Sequence, residues 1–307
     1  MSRIYEALQR AEAERMDTSN PDAPQTFDHL AATPICDRLP IQGVIDLDHI
    51  RRQAWIPDLR ALPTLADRGK CVEQFRSLRS QLHLQRLQQD LKTILISSGL
   101  PAEGKTFVAM NLAMSLAHNS DRQVLLVDAD LRRPAAHKLL GATASPGLAD
   151  YLDGKASIHE ITQRSVAPQC ADVQQGNYSN VAFIPAGTCS DGACELICSH
   201  RVDQLISQLS PLFDWIIIDS PPALVVSDAV DLARAVDAVL LVARAGSTPY
   251  AVAQNTQRAF SNSRLLGFVL NASKEATRTD PYYSYYDDYG SGPHGAPKRK
   301  RSKESRK

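Results

Sequence analysis

The chain has 307 residues, of which 43% are hydrophobic, and its formal net charge at pH 7 is zero. This composition is that of an ordinary globular protein with a sizeable core, and the balanced charge excludes a molecule that binds polyanions over its whole surface. We find neither a secretory signal nor an apolar run approaching the ~18 residues of a membrane span. We therefore expect a cytoplasmic protein whose six cysteines are free thiols.

The N-terminal region has little of the periodicity of a folded core. Residues 1–16 are interpreted as a short amphipathic helix, because Ile4, Leu8 and Ala11 recur at helical spacing. Such a helix could dock on a partner or be only a terminus with some helicity. Residues 17–70 are rich in proline and are predicted to be a linker or an irregular arm wrapped on the core.

Residues 71–279 alternate between short apolar runs and helical stretches. The predicted strands are 91–98, 124–130, 181–185, 215–219, 238–243 and 266–271. The predicted helices are 72–87, 106–118, 194–209, 227–236 and 249–261. Continuous apolar strands between helices are typical of βαβ units. The prediction is an α/β fold with a doubly wound, mostly parallel sheet, an irregular N-terminal arm and a flexible C-terminal tail at 280–307.

A phosphate-binding loop follows the first of these strands. Residues 99–106 match G-x-x-x-x-G-K-[ST] between a strand and a helix, which is the context that a P-loop requires. Backbone N–H groups and the helix N-terminus favour negative charge there. Lys105 should reach the β- and γ-phosphates of ATP, and the Thr106 hydroxyl should bind Mg²⁺. The residues expected around the nucleotide are Gly99, Pro101, Ala102, Glu103, Gly104, Lys105, Thr106 and Phe107.

Three aspartates come at the ends of two other strands. Asp219 ends the run 215–219, and Asp128 and Asp130 end the run 124–130. Carboxylates at the same sheet edge as a triphosphate imply a metal site and a general base. A turn or a solvated strand end is the alternative for each of them. Cys189, Cys194, Cys198 and His200 match no common zinc spacing, so we interpret them as small residues of a loop and a helix.

Residues 70–290 resemble the bacterial tyrosine kinases, which are deviant P-loop ATPases related to cell-division and plasmid-partition proteins. The segments that carry the resemblance are 73–79, the P-loop, 124–134, 213–222, 242–246, 267–271 and a tyrosine cluster at 282–289. Ala102 departs from the glycine common in these kinases. Leu100 stands where the partition and division relatives have a second lysine, which favours the kinase branch.

The resemblance implies roles for the site residues. Lys105 and Thr106 bind the phosphates and Mg²⁺, Asp128 is the base for a tyrosine hydroxyl, and Asp130 and Asp219 surround the metal. Asn271 matches a position that reads adenine in the wider superfamily, although an asparagine at a strand end is often only a turn residue.

The resemblance also implies an assembly and its substrate. Glu73, Arg76 and Arg79 share one arc of a helix and correspond to a motif that joins subunits into a ring; a solvated helix face is the alternative. The tail then supplies tyrosines to a neighbouring active site, or else forms a stacking patch. The expected phosphorylation sites are Tyr282, Tyr283, Tyr285, Tyr286 and Tyr289.

By the same resemblance, the function is that of an ATP-dependent protein-tyrosine autokinase that regulates the polymerisation and export of capsular polysaccharide or exopolysaccharide. Expected partners are a separate inner-membrane polysaccharide co-polymerase as activator, at the cytoplasmic face of the plasma membrane, and a cognate tyrosine phosphatase. Nucleic acid is not expected. The alternatives are an ATPase that acts as a positioning switch, as in the partition and division relatives, and a nucleotide-dependent scaffold without enzymatic activity.

Overall fold

One eight-stranded sheet organises the part of the chain that the computed structural model describes, residues 50–66, 68–118, 122–166, 178–188, 197 and 200–273. Its strands are β1 (Arg51–Gln53), β2 (Thr93–Ser98), β3 (Val124–Asp128), β4 (Gln163–Ser165), β5 (Val181–Ile184), β6 (Trp215–Asp219), β7 (Ala238–Arg244) and β8 (Leu265–Asn271). The order across the sheet is β1-β4-β5-β3-β6-β2-β7-β8. Only β4 and β5 pair antiparallel, so the sheet is mostly parallel, as predicted.

Helices connect the strands and cover both faces of the sheet. The α-helices of the described residues are α1 (Lys70–Gln88), α2 (Lys105–Ala117), α3 (Ala136–Leu140), α4 (Leu148–Leu152), α5 (Ile158–Ile161), α6 (Arg201–Leu209), α7 (Asp228–Leu232) and α8 (Tyr250–Ala259). Two 3₁₀ turns, Pro63–Leu65 and Ser210–Leu212, complete the described elements.

The central strands are buried on both faces because successive side chains enter two separate apolar layers. In β2, Ile94 and Ile96 belong to the layer that contains α2, whereas Leu95 belongs to the opposite layer with α6. All six residues of β2 and all five of β3 are buried. This burial accounts for the continuous apolar runs in the sequence and confirms the doubly wound α/β class.

The region before the P-loop contributes to the sheet as well as to the core. Trp55, Leu62 and Leu65 are buried in the same apolar layer as α2. β1 lies at the edge of the sheet and pairs with β4. Neither strand was predicted, because each has only three residues and both are polar: Arg51–Gln53 and Gln163–Ser165.

Several predicted bounds change. The strand predicted at 124–130 ends at Asp128, and the helix predicted at 227–236 is only Asp228–Leu232. The helix predicted at 194–209 is described as Arg201–Leu209. The predicted helix at 1–16, Cys189, Cys194, Cys198 and the tail at 280–307 lie outside the described residues. Within the described part of the chain, no helix is both long and apolar enough to cross a bilayer.

Candidate nucleotide site

The P-loop connects β2 to α2, and two of its residues have a left-handed backbone conformation. Gly104 has φ 94° and Ala102 has φ 62°. A Cβ atom on Gly104 would lie 1.9 Å from Nδ2 of Asn271, so both the backbone angle and the space require glycine at this position. Lys105 begins α2, a helix of 13 residues whose N-terminus therefore faces the loop.

Strand register brings the predicted carboxylates to the P-loop. Asp128 on β3 lies directly opposite Asp219 on β6, and Asp219 pairs on its other side with Ile96 of β2. Asp130 follows two residues after the end of β3. All three aspartates are buried, with exposures of 0–3%. The structure thus gathers at one sheet edge the three side chains that the sequence placed at separate strand ends.

Lys105 and Asp130 form an ion pair in which Nζ and Oδ2 are 3.0 Å apart. Both side chains are largely shielded from solvent, with exposures of 13% and 4%. The other carboxylate oxygen of Asp130 accepts a hydrogen bond from the Arg133 N–H at 3.0 Å, which closes the turn after β3. The P-loop lysine is therefore oriented by an internal partner before any phosphate binds.

Asp128 is held by the backbone of the segment that follows β3. Its Oδ2 accepts hydrogen bonds from the N–H groups of Ala135 and Ala136 at 3.2 and 3.1 Å, and its Oδ1 accepts one from Asp130 at 3.2 Å. Burial raises the pKa of the Asp128 carboxyl to about 6, and the Asp130 charge adds to the rise, whereas the backbone donors oppose it. This carboxylate is oriented and more basic than an ordinary aspartate.

Asp219 has fewer hydrogen bonds to offset its burial than the other two carboxylates. Neither oxygen has a hydrogen-bond partner of normal geometry among the described residues, although the Thr106 hydroxyl lies close enough to oppose the rise in its pKa. Burial and the Asp128 charge raise that pKa well above the usual value, and the Lys105 charge also opposes the rise. A buried, unpaired carboxylate is unfavourable unless a cation is bound beside it.

Magnesium fits this donor set. Among the described residues, no three His, Cys, Asp or Glu side chains form a complete metal cage. Mg²⁺ does not need one, because it is commonly held by one or two carboxylates together with substrate phosphates and waters. Asp219 and the Thr106 hydroxyl are the groups that would hold the ion. Asp130 is paired with Lys105 here, and its place around the metal stays a prediction.

The unpaired state of Asp219 leads to a stability prediction. We expect Asp219→Asn to raise the Tm of the nucleotide-free chain, because a neutral amide is easier to bury than a charged carboxylate. The rise should be about 2–4 °C for each kcal/mol gained in the free energy of unfolding. We expect Asp130→Asn, the matched control, to lower the Tm, because it breaks the pair with Lys105. Calorimetry of both variants tests this, and a lower Tm for Asp219→Asn would show that the carboxylate is already compensated.

The ends of β7 and β8 hold the P-loop from the side. The Asn271 amide Nδ2 donates to the Glu103 carbonyl at 3.0 Å, and its Oδ1 accepts from the Ala272 N–H at 2.8 Å. Asn271 is therefore at the site, bonded to the P-loop, and its adenine-reading role stays a prediction. Sequence reasoning missed two further contacts with the loop, from Arg244 and from Thr248. Arg244 lies in the family-like segment 242–246, whereas Thr248 lies outside it and had no signal.

The sequence also did not predict an ion pair that fixes the segment after β3. Arg132 and the buried Asp228 of α7 form an ion pair in which Nε and Oδ2 are 3.0 Å apart. Asp228 is 2% exposed. Since Arg132 follows Asp130 by two residues, this pair ties the carboxylate-bearing segment to the helix that follows β6. Long-range pairs of this kind have no local sequence signature.

The three residues of the predicted subunit motif lie on α1 but differ in environment. Glu73 and Arg76 form an ion pair on the exposed face of the helix. Arg79 instead donates from Nη1 to the Ser115 carbonyl at 2.6 Å, near the C-terminus of α2. The same carbonyl accepts a longer bond from the His118 N–H at 3.4 Å, so Arg79 adds a second donor at the end of α2 within its own chain.

Comparisons with known proteins agree with this geometry. A family model described as an AAA domain matches residues 91–255, which is more than half of the chain. The tyrosine-protein kinase YwqD of Bacillus subtilis (strain 168) is 30% identical over 216 residues, 70% of this chain and 85% of that protein. The tyrosine-protein kinase etk of Escherichia coli (strain K12) is 34% identical over 216 residues, 70% of this chain. That alignment covers 28% of etk, so the chain spans less than a third of that relative.

A solved structure leads to the same group of proteins. The kinase domain of the Escherichia coli tyrosine kinase ETK is 30% identical, with a TM-score of 0.62 over 76% of this chain and 87% of that chain. A parallel sheet with a P-loop after β2 and carboxylates at the adjoining strand ends defines a P-loop nucleotide-binding protein. Within that class, the chain belongs to the bacterial tyrosine-protein kinases, a family of deviant P-loop ATPases.

Proposed function

We propose that the chain binds ATP with Mg²⁺ and transfers the γ-phosphoryl group to tyrosine hydroxyls in residues 280–307 of a neighbouring copy. The observation that carries the proposal is the arrangement around Lys105: an oriented basic carboxylate, Asp128, beside an unpaired one, Asp219, at the mouth of the P-loop. The relatives are named tyrosine-protein kinases, which favours a kinase over a positioning switch or a scaffold.

The protein groups divide the work of the transfer. P-loop N–H groups and the N-terminus of α2 receive the phosphates, and Lys105 turns from Asp130 toward the transferred group. Bound Mg²⁺ would neutralise developing charge, with Thr106 and Asp219 to hold it. Asp128 accepts the phenol proton. Its pKa of about 6 leaves it ionised at neutral pH and a stronger proton acceptor than an ordinary aspartate.

The acceptor is proposed from the tail composition. Residues 282–289 contain five tyrosines, which is more than a single recognition event needs. We propose that copies assemble in a ring through the exposed Glu73–Arg76 pair, so that one tail reaches the next active site. Arg79 contributes by fixing α1 to the end of α2, because its guanidinium is already bonded within its own chain.

The wider setting follows from the family resemblance. We propose that the kinase regulates the polymerisation and export of capsular polysaccharide or exopolysaccharide at the cytoplasmic face of the plasma membrane. The proposed activator is the cytoplasmic part of an inner-membrane polysaccharide co-polymerase, and a tyrosine phosphatase is proposed to reverse the modification.

Phosphate mapping tests the proposed function. Wild-type chain incubated with ATP and Mg²⁺ is expected to carry phosphotyrosine only within residues 280–307, mapped by mass spectrometry. A single Tyr→Phe change should have a small effect, because the other four hydroxyls remain. Changing all five tyrosines, Tyr282, Tyr283, Tyr285, Tyr286 and Tyr289, to Phe should remove the signal.

The controls separate the kinase from its rivals. The five-Phe variant should keep wild-type affinity for Mg·ATP, because the site itself is intact. The measurement is repeated with and without the cytoplasmic part of the membrane partner. ATP hydrolysis without any phosphotyrosine under both conditions would favour the positioning switch, and nucleotide binding without either reaction would favour the scaffold.

A further inference from the structure

The centre of the P-loop is bonded to side chains from the end of strand β7 and from the turn that follows it. Glu103 is only 4% exposed. Its Oε2 accepts a hydrogen bond from the Leu100 N–H at 2.8 Å, across the loop, and its Oε1 accepts one from the Thr248 hydroxyl. Arg244 adds a bond from Nη1 to the Ala102 carbonyl at 3.2 Å. Residues 100, 102 and 103 are thus fixed by one carboxylate and two outside donors.

The Thr248 hydroxyl has a fixed direction. Its oxygen accepts a hydrogen bond from the Arg244 N–H at 2.8 Å, and the Thr248 N–H donates to the Arg244 carbonyl at 2.9 Å. A carboxylate oxygen can only accept a hydrogen bond, so the Thr248 hydroxyl donates its proton to Glu103 while its oxygen accepts from the Arg244 N–H. The turn at 244–248 therefore presents one oriented donor to the P-loop.

A buried carboxylate is an unexpected component of a loop that binds phosphates, because its charge repels them. Glu103 compensates by accepting bonds at both oxygens, and one of these bonds closes the loop on itself between residues 100 and 103. The loop also contains Ala102 at φ 62°, a left-handed angle that a residue with a Cβ adopts only when its surroundings impose it. The Arg244 and Thr248 contacts are those surroundings.

We propose that Thr248 and Glu103 form a latch that holds the P-loop in its phosphate-binding conformation, and that both are positioning residues for a nucleoside di- or triphosphate. Phosphate binding by backbone N–H groups depends on all of them pointing inward before the ligand arrives. Without the latch, nucleotide binding would have to order the loop, and the free energy of ordering would lower the affinity. The proposal rests on the proposed function only in requiring that the P-loop bind nucleotide.

The test replaces the Thr248 side chain by two near-isosteric alternatives. Thr248→Val keeps the shape but has no hydroxyl, and we expect it to weaken Mg·ADP binding about tenfold or more, since the lost bond is to a carboxylate. Thr248→Ser keeps the hydroxyl and should bind within about twofold of wild type. Ser247→Ala is the matched control, because it removes an exposed hydroxyl one residue away. Equilibrium titration with Mg·ADP measures all four proteins.

A double-mutant cycle shows whether the two residues act as one unit. Glu103→Gln has a single acceptor oxygen, so it loses the bond either to the Leu100 N–H or to the Thr248 hydroxyl and should also weaken Mg·ADP binding. Glu103→Gln and Thr248→Val together should weaken it little more than either alone. Thr248→Val should also lower the Tm, because one oxygen of the buried Glu103 carboxylate loses its donor. The titrations are therefore made well below the Tm of every variant, where each chain is folded and a loss of affinity reports positioning.

Defined results would overturn the latch. These are wild-type affinity in Thr248→Val, an affinity in Thr248→Ser as weak as in Thr248→Val, or strictly additive losses in the cycle. Failure of the kinase proposal is distinguishable, because a wild-type chain that binds Mg·ADP but makes no phosphotyrosine would leave the latch intact. A wild-type chain that binds no Mg·ADP would overturn both.

Discussion

Replacing Lys105 with Met is expected to reduce phosphotyrosine formation by about 100-fold to 1,000-fold. The Lys105 side chain is 13% exposed and its ammonium is aligned by Asp130, so its charge acts on the transferred phosphoryl group in a site with little water. Removing such a preorganised charge weakens binding of the transition state more than binding of the ground state. The measurement is the initial rate of phosphotyrosine formation at saturating Mg·ATP.

A paired variant controls for stability. Lys105→Met leaves Asp130 as an uncompensated buried carboxylate, so a lower Tm is expected. Lys105→Met with Asp130→Asn removes that charge and should recover much of the Tm without recovering activity. Phosphorylation at the wild-type rate in either variant would show that the P-loop is not the catalytic site.

Asp128→Asn is expected to slow transfer to tyrosine by about 100-fold to 10,000-fold, the range typical of general acid–base catalysis. Affinity for Mg·ATP should change much less, because the proposed part of Asp128 is in proton transfer and its carboxylate is held by Ala135 and Ala136. Single-turnover rates and nucleotide titrations separate the two effects.

The neighbouring aspartates provide the comparison for Asp128. Asp130→Asn and Asp219→Asn are expected to act mainly on Mg·ATP binding, through the partner of Lys105 and through the metal. If all three variants lose nucleotide affinity equally and their single-turnover rates remain similar, Asp128 has no special part in the chemical step.

The sequence predicted the features that have a local cause. The P-loop follows from eight consecutive residues, and the sheet follows from runs such as Trp215–Asp219 that are apolar on both faces. The meeting of Asp128, Asp130 and Asp219 also follows, because parallel strands end at one edge. These inferences need no knowledge of distant contacts.

The features that escaped prediction depend on contacts between distant residues. The hydrogen bond of Thr248 to Glu103 joins positions 145 residues apart, and the pair of Arg132 with Asp228 spans 96. The strands β1 and β4 lack an apolar pattern because they lie at the margin of the sheet. The bond of Arg79 to Ser115 likewise depends on how α1 packs against α2, which the helical periodicity alone does not fix.

Transfer between two marked chains tests the central claim most directly. Lys105→Met chain, which keeps its tyrosines, is mixed with the five-Phe variant, which keeps its active site, and Mg·ATP is added with the cytoplasmic part of the membrane partner present or absent. Peptide mass spectrometry distinguishes the two chains, because their tail peptides differ by the five Tyr→Phe changes. We predict phosphate on residues 280–307 of the Lys105→Met chain in the mixture, and none when either protein is incubated alone. If the mixture leaves that chain unmodified under both conditions, while wild type phosphorylates its own tail, the transfer to a neighbouring copy is contradicted.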